Sequence, residues 1–315
     1  MRKSLLSSYT KIEKRGVFFA FGLLAFPIAQ FLVFYLYINI DSFRLAFLQP
    51  DGSYGWANFS RVFDEFFGDD KGFLLTFLGR SVITWCVSTF ITFPVSVLFT
   101  YALFKKVPGE MVFRVIFFLP SLIGAVIMTT LYRYVVNATG PLIEVLKLMG
   151  IGLPEQLLRD GFLGYLGSSF ITILFYGFWV GLSSNIIVLT GALTRIPKEI
   201  FEASKLDGTS FMGEFFRISL PLIWPTISTL LIFSMAGIFV ADAGTFLLVG
   251  TGSHDDVSTI GYYMFYLLYT LSETSIGDRL YGYPAALGLL LTVITIPVVL
   301  TIRTILDRFT EDISY

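Results

Sequence analysis

Seven stretches of this chain run without a single charged side chain: 17–40, 81–104, 115–132, 161–194, 218–241, 257–272 and 280–302. No other feature constrains the fold as tightly. A helix advances about 1.5 Å per residue and needs roughly 20 apolar residues to cross the hydrocarbon core of a bilayer. Six of the seven runs reach that length or nearly so. The seventh, VSTIGYYMFYLLYTLS at 257–272, has only sixteen residues and four tyrosines, and its length leaves it ambiguous. Only 14% of the 315 residues are charged, against about 25% in a soluble globular protein, and the mean hydropathy is +0.76. The pattern predicts an all-α integral membrane protein.

Charge placement chooses among topologies. With six spans, 257–272 outside or only partly inserted, and the N-terminus in the cytoplasm, the cytoplasmic segments hold fourteen basic residues against nine acidic ones. The outer segments and outer span ends hold eight against fourteen. Basic residues concentrate on the cytoplasmic side of membrane proteins, so six spans with both termini cytoplasmic is the favoured arrangement. A seventh span would move Arg303 and Arg308 outside and weaken the bias.

Several functions are excluded or unsupported. The net charge of −1 and the lack of a basic run give no reason to expect nucleic acid. Cys86 stands alone, so neither an intrachain disulfide nor a cysteine metal site can form, and its apolar surroundings make it a small buried hydrophobe. His254, beside Asp255 and Asp256, reads as solvated rather than as a metal ligand. No HExxH, GxSxG or Walker A pattern occurs, so no catalytic residue is assigned and the chain is not expected to be an enzyme.

The opening MRKSLLSSYTKIEKRG is followed by more than twenty apolar residues and no small-residue cleavage site, so it reads as an uncleaved first span. An acidic, aromatic outer loop follows at 41–74, which divides the chain into 1–74 and a five-span core at 75–310. Asn58 and Asn137 head formal glycosylation triplets of a kind that arises easily by chance. Pro27, Pro94, Pro120 and Pro297 fall inside spans. Two readings stand for them: bent or cavity-lining helices, or ordinary small-residue packing.

One charged island interrupts the apolar chain, EIFEASKLDGTSFMGEFFRISLP at 199–221, within a predicted cytoplasmic loop at 195–221. Pro197 suits a first helical position, and Glu199 and Glu202 suit the positive end of the helix dipole. Gly208 can take the left-handed conformation that ends a helix, and Thr209 or Ser210 can cap a second helix from Phe211. The first helix mixes Ile200, Phe201, Ala203 and Leu206 with its charges. Docking into a partner protein and lying on lipid headgroups both account for that mixture.

The island resembles the EAA loop of permease subunits of bacterial ABC importers, whose pattern is E-A-A-x3-G-x9-I-x-L-P. Here Glu202-Ala203-Ser204 is followed after three residues by Gly208 and after nine more by Ile218-Ser219-Leu220-Pro221, with Ser204 the one departure. Gly191-Ala192-Leu193, Ile196-Pro197 and Asp207-Gly208 look like the carbohydrate-uptake branch, similar to maltose and glycerol-phosphate permeases, as does Phe113-Arg114 with Phe117-Phe118-Leu119-Pro120. The resemblance covers about 75–310.

The resemblance implies a type I importer permease with a cytoplasmic coupling helix, in a bacterial inner membrane. It also implies a second permease subunit (a different chain by the norm of this branch), two cytoplasmic ATPase subunits and an extracytoplasmic sugar-binding protein. ATP and Mg would be bound by the ATPases, and this chain would carry no cofactor or metal. Glu202, Ala203, Ser204, Asp207, Gly208 and Pro221 would form the joint with the ATPase.

The helices beside the loop are the family's usual path-liners, which points to Tyr176, Gly177, Gly181 and Ser184 on the fourth span. On the fifth span it points to Ser234, Gly237, Ile238 and Asp242, with Ser234, Ile238 and Asp242 expected at successive turns of one helix. Two readings of Asp242 stand side by side: an acceptor for sugar hydroxyls, or an outer-end residue that is solvated or paired with Arg80 or Arg133. The alternatives to a sugar are another solute on the same scaffold, such as a polyamine or a phosphate ester. A membrane-embedded enzyme would need a polar cluster within the spans, which the sequence lacks, and a passive channel leaves the loop unexplained.

Overall fold

The computed structural model describes residues 11–68, 72–251, 256–272 and 281–308. His254 and its metal question lie outside them. Among the described residues every regular element is a helix, apart from one isolated bridge between Leu48 and Tyr54, and there is no strand. The helices are α1 (Phe18–Phe47, the apolar part of a helix that starts at Lys11), α2 (Ala57–Phe67), α3 (Phe73–Phe104), α4 (Glu110–Leu122), α5 (Ala125–Val136), α6 (Pro141–Leu148) and α7 (Glu155–Gly164). They continue with α8 (Ser169–Leu193), α9 (Lys198–Leu206), α10 (Phe211–Leu222), α11 (Trp224–Ala236), α12 (Thr245–Val249), α13 (Ile260–Ser272) and α14 (Gly282–Arg308).

Among the described residues four helices, α1, α3, α8 and α14, are long and apolar enough to cross a membrane. The number rises to six if Glu110–Leu122 with Ala125–Leu148, and Phe211–Leu222 with Trp224–Ala236, each count as one span. Those two pairs are bent by 119° and 71°. The uncharged run 115–132 is therefore not one straight helix: it breaks at Gly124, which is extended at φ −57°, ψ 141°. The run 218–241 breaks at Ile223, and its helix stops at Ala236. At thirteen residues, α13 is about 20 Å long, short of a roughly 30 Å hydrocarbon core.

The prolines show how these helices keep their backbone groups paired in an apolar medium. Pro120 has no N–H for the carbonyl of Ile116, and the indole Nε1–H of Trp179 on α8 donates to it instead, at 3.2 Å. Directly before Pro94 the ladder widens into a π-helix over Val87–Thr92, the usual way a long helix absorbs such a disruption. The hydroxyls of Ser81, Thr100 and Thr190 donate to carbonyls one turn back.

The chain forms two compact units, Met1–Phe63 with Leu271–Leu290, and Asp64–Thr270 with Leu291–Tyr315. The division falls nearer 63 than the expected 74, and it draws in the start of α14. In the first unit Arg61 lies 4.5 Å above the Tyr283 ring, and Gly282 leaves no room for a Cβ against the Leu48 carbonyl and the Asn58 amide. The Asn58 side chain is buried and donates to the carbonyls of Ala46 and Leu48, so this triplet is not open to glycosylation. Every described side chain of α1 from Phe18 to Ile40 is exposed, as on a helix that meets lipid or another chain.

Among the described residues, the second unit holds these apolar clusters. One joins α3, α8, α9, α10 and α11 through Phe93, Tyr101, Leu193, Phe201, Phe215 and Ile227. Another surrounds Met128, Tyr132, Ile173, Tyr176 and Leu248, and a small third holds Leu103, Leu182 and Ile186.

Candidate functional site

Loop 195–221 folds as two short helices. Pro197 is the residue before α9 rather than its first turn, at φ −56°, ψ 138°. At the other end Gly208 is left-handed, φ +68°. The Thr209 N–H bonds back to Ser204 O at 3.1 Å and the Gly208 N–H to Lys205 O at 3.1 Å, the paired bonds of a Schellman stop. Ser210 then caps α10, its Oγ accepting the Gly213 N–H at 3.1 Å.

This geometry sorts the motif residues. Glu202, Ala203, Asp207 and Gly208 are exposed, and nothing lies within 4 Å of where a Gly208 Cβ would sit. Leu206 stands beside them at 90% exposure. Ser204 points the other way and is buried, as are Phe201 and Phe215, while Pro221 is half-buried. The loop thus has an anchored face and a bare tip. The small side chain at Ser204 serves packing within this chain, not the exposed face that the motif position suggested.

The anchored face carries a polar contact that sequence reasoning missed. Glu214, on α10, is buried and pairs with the ammonium of Lys105, just past the end of α3. The Tyr101 hydroxyl donates to the same carboxylate at 3.0 Å. The segments around Lys105 and around 195–217 therefore share one end of the unit. Each is charged and flanks an apolar run, and that is the only trace of the contact in the sequence.

The proposed path residues separate into groups. Gly181 faces α3, where a Cβ would lie 3.1 Å from Thr92 Cγ2, whereas a Cβ on Gly177 would lie 2.9 Å from the Cβ of Ala243 in the turn beyond α11. Gly177 lines a cavity of about 100 Å³ with Thr84, Ser88, Thr92, Phe178 and Ala243. Thr84 Oγ1 there is buried without a hydrogen-bond partner among the described residues. Ser234 approaches the same π-helical turn of α3, sharing a 2.6 Å hydrogen bond with Thr89. Tyr176 instead turns into the cluster around Tyr132, its hydroxyl 2.9 Å from Thr129 Oγ1, and Ser184 is exposed.

The expected stripe Ser234–Ile238–Asp242 does not exist, because α11 ends at Ala236 and Gly237 follows as its cap. From there the chain runs through turns. Asp242 accepts the Gly244 N–H at 2.9 Å in an Asx turn, and Ala243 and Gly244 both have positive φ. Among the described residues no ion pair reaches Asp242, so neither arginine pairing is seen. The hydroxyls of Thr84, Ser88 and Thr92 were missed, and they are legible only once α3 is known to face the α8 glycines.

A larger cavity, about 440 Å³, opens between α5, α7 and α12, with Arg133, Asn137, Asp160, Leu163 and Leu248 on its walls. The neighbouring Arg159 guanidinium, 2.9 Å from both Asp160 oxygens, holds that exposed carboxyl below its usual range.

Residues 72–313 match the family of binding-protein-dependent transport system inner membrane components. Among curated proteins the chain is 27% identical over 193 residues to the multiple sugar-binding transport system permease protein MsmF of Streptococcus mutans, covering 61% of this chain and 62% of that one. It is 29% identical over 184 residues to the maltose/maltodextrin permease protein MalF of Escherichia coli, covering 58% of this chain and 34% of that one. Both alignments span less than two thirds of the relative's length. The arabinooligosaccharides permease protein AraP of Bacillus subtilis matches at 24% identity over 86% of this chain and 83% of its own. The fold is that of a chain in the crystal structure of a bacterial ABC transporter that imports the acidic polysaccharide alginate, with a TM-score of 0.76 over 95% of this chain and 98% of that one, at 20% identity.

Proposed function

The chain belongs to the family of binding-protein-dependent transport system inner membrane components, and from that premise we propose that it is the permease subunit of an ATP-driven importer of a sugar, in particular an oligosaccharide. The observation that carries the coupling half of this reading is the bare tip of loop 195–221. Glu202, Leu206, Asp207 and Gly208 stand exposed on a helical hairpin whose other face is locked into the bundle. An exposed leucine gains about 2 kcal/mol when a partner covers it, and a hairpin held from behind transmits a push instead of folding under it.

In this reading the loop faces the cytoplasm, both termini lie on that side, and the tip sits in a cleft of an ATPase subunit. ATP with Mg binds in the ATPases, and this chain performs no hydrolysis. A second permease subunit completes the path, and an outer binding protein delivers the solute. Closure of the two ATPases drives the loops, and the apolar cluster shared by α3, α8 and α11 passes that displacement to the helices that line the path. The basic residues support the orientation, since Lys105 and the loop share one end of the unit.

The sugar assignment rests on the named relatives, on the alginate importer and on the hydroxyl-rich wall of Thr84, Ser88 and Thr92. Uptake of labelled oligosaccharides, a polyamine and glycerol phosphate, compared in the native host with and without the chain, tests it. The expected result is loss of oligosaccharide uptake alone. Loss of only the polyamine or the phosphate ester would overturn the sugar assignment. Isolation of the tagged chain in mild detergent without any ATPase would overturn the importer reading.

A further inference from the structure

We propose that Lys105 clamps loop 195–221 to the end of α3, so that the loop and α3 move as one body during transport. The inference rests on the coupling reading above and adds the residues that make the joint stiff.

The ammonium of Lys105 touches both helices of the loop. On one side it pairs with the Glu214 carboxylate of α10, with the two side chains only 17% and 6% exposed. On the other it lies 4.2 Å above the ring of Phe201 on α9, within cation–π range. Tyr101, one turn earlier on α3, adds a hydroxyl that reaches Glu214 Oε1 at 3.0 Å and the Phe211 carbonyl at 3.2 Å, and its ring packs on Phe211 and Phe215. One cation therefore holds the two halves of the hairpin on either side of the Gly208 turn.

The pair differs in kind from Arg44–Asp41, Arg114–Glu110, Arg159–Asp160 and Arg303–Asp307. Each of those joins near neighbours in sequence through more exposed side chains, where an ion pair contributes little. Lys105 and Glu214 come from segments far apart in sequence. Removing either leaves a buried charge uncompensated, so the geometry is over-determined only while both are present. Without Glu214 the ammonium is expected to swing out to water and release both helices.

The test uses the full chain in lipid nanodiscs, with its single cysteine replaced (Cys86→Ser) and spin labels at Leu206→Cys on the loop and Leu98→Cys on α3, both exposed positions. The parent should give one narrow distance distribution. Glu214→Gln and Lys105→Met should each widen it at least twofold, and the exchange Lys105→Glu with Glu214→Lys should narrow it again. Equal widths in all four proteins would overturn the clamp. So would failure of the exchange to narrow a distribution that both single variants widen, since that pattern marks general loosening.

A second arm adds the co-isolated ATPase with ATP and vanadate. The clamp predicts that both labels respond while their separation stays fixed, and a changed separation in the parent would overturn it. If neither label responds although the ATPase is bound, the coupling reading fails, while the first arm still decides whether the clamp exists.

Discussion

The two ends of the fifth apolar run behave as opposites. At one end, loop 195–221 follows its sequence almost residue by residue: a helix, a left-handed glycine, a serine cap and a second helix, all anchored by Phe201, Phe215 and Glu214. At the other, α11 stops short at Ala236. The chain then crosses Gly237–Gly250 in turns and one short helix, with Ala243 at φ +52° pressed against Gly177. A positive φ at a non-glycine residue costs roughly 1 kcal/mol and persists only where neighbours impose it. Local rules shape the first end, and packing against α8 shapes the second.

Substitutions can break or sharpen that contrast. The largest effect is expected from Gly208→Pro. Proline fixes φ near −65°, whereas the turn needs +68°, and it removes the N–H that serves Lys205. A penalty of about 3 kcal/mol or more shifts the balance between native and displaced turns by roughly a hundredfold or more, so uptake should fall steeply while membrane insertion is unchanged. Normal uptake by that variant would show that the hairpin is not the working part.

At the other end Gly177→Leu should cost about 1–3 kcal/mol by overpacking against Ala243 and should fill the cavity. Solute uptake should drop about tenfold while ATP hydrolysis by the assembled transporter persists. Equal losses of both would mean that the two ends are not separable. The smallest effect belongs to Ser210→Ala, which removes the cap of α10 at about 1 kcal/mol. The buried anchors should hold the loop in place, so a modest loss of thermal stability with near-normal uptake is expected. A large loss of uptake would show that the cap, not the anchoring, holds the loop.

What was legible in the sequence follows the same divide. Uncharged runs located the long helices because lipid excludes charge over a whole span, a signal carried by every residue. They could not reveal the break at Gly124, since a bent pair and a straight helix have the same hydropathy. The Ser234–Ile238–Asp242 stripe failed because helical spacing was extended past Gly237. The Asp242–Gly244 pair is itself a turn signal, with an aspartate oxygen meeting an amide two residues on. The Lys105–Glu214 contact leaves in the sequence only the trace of two charged flanks, because nothing local in either segment names its partner. Ser204 was placed by its motif on the docking face, but helical geometry turned it inward.

The central claim of the proposed function is that the bare tip of loop 195–221 receives an ATPase. A photo-crosslinking residue at Leu206, compared with one at Val240 beyond the end of α11 (90% and 73% exposed), tests this most directly in native membranes. An adduct to an ATPase subunit from position 206 alone, changing in yield when ATP and vanadate are added, is the predicted result. No ATPase adduct at 206, or equal adducts from both positions, would contradict the account.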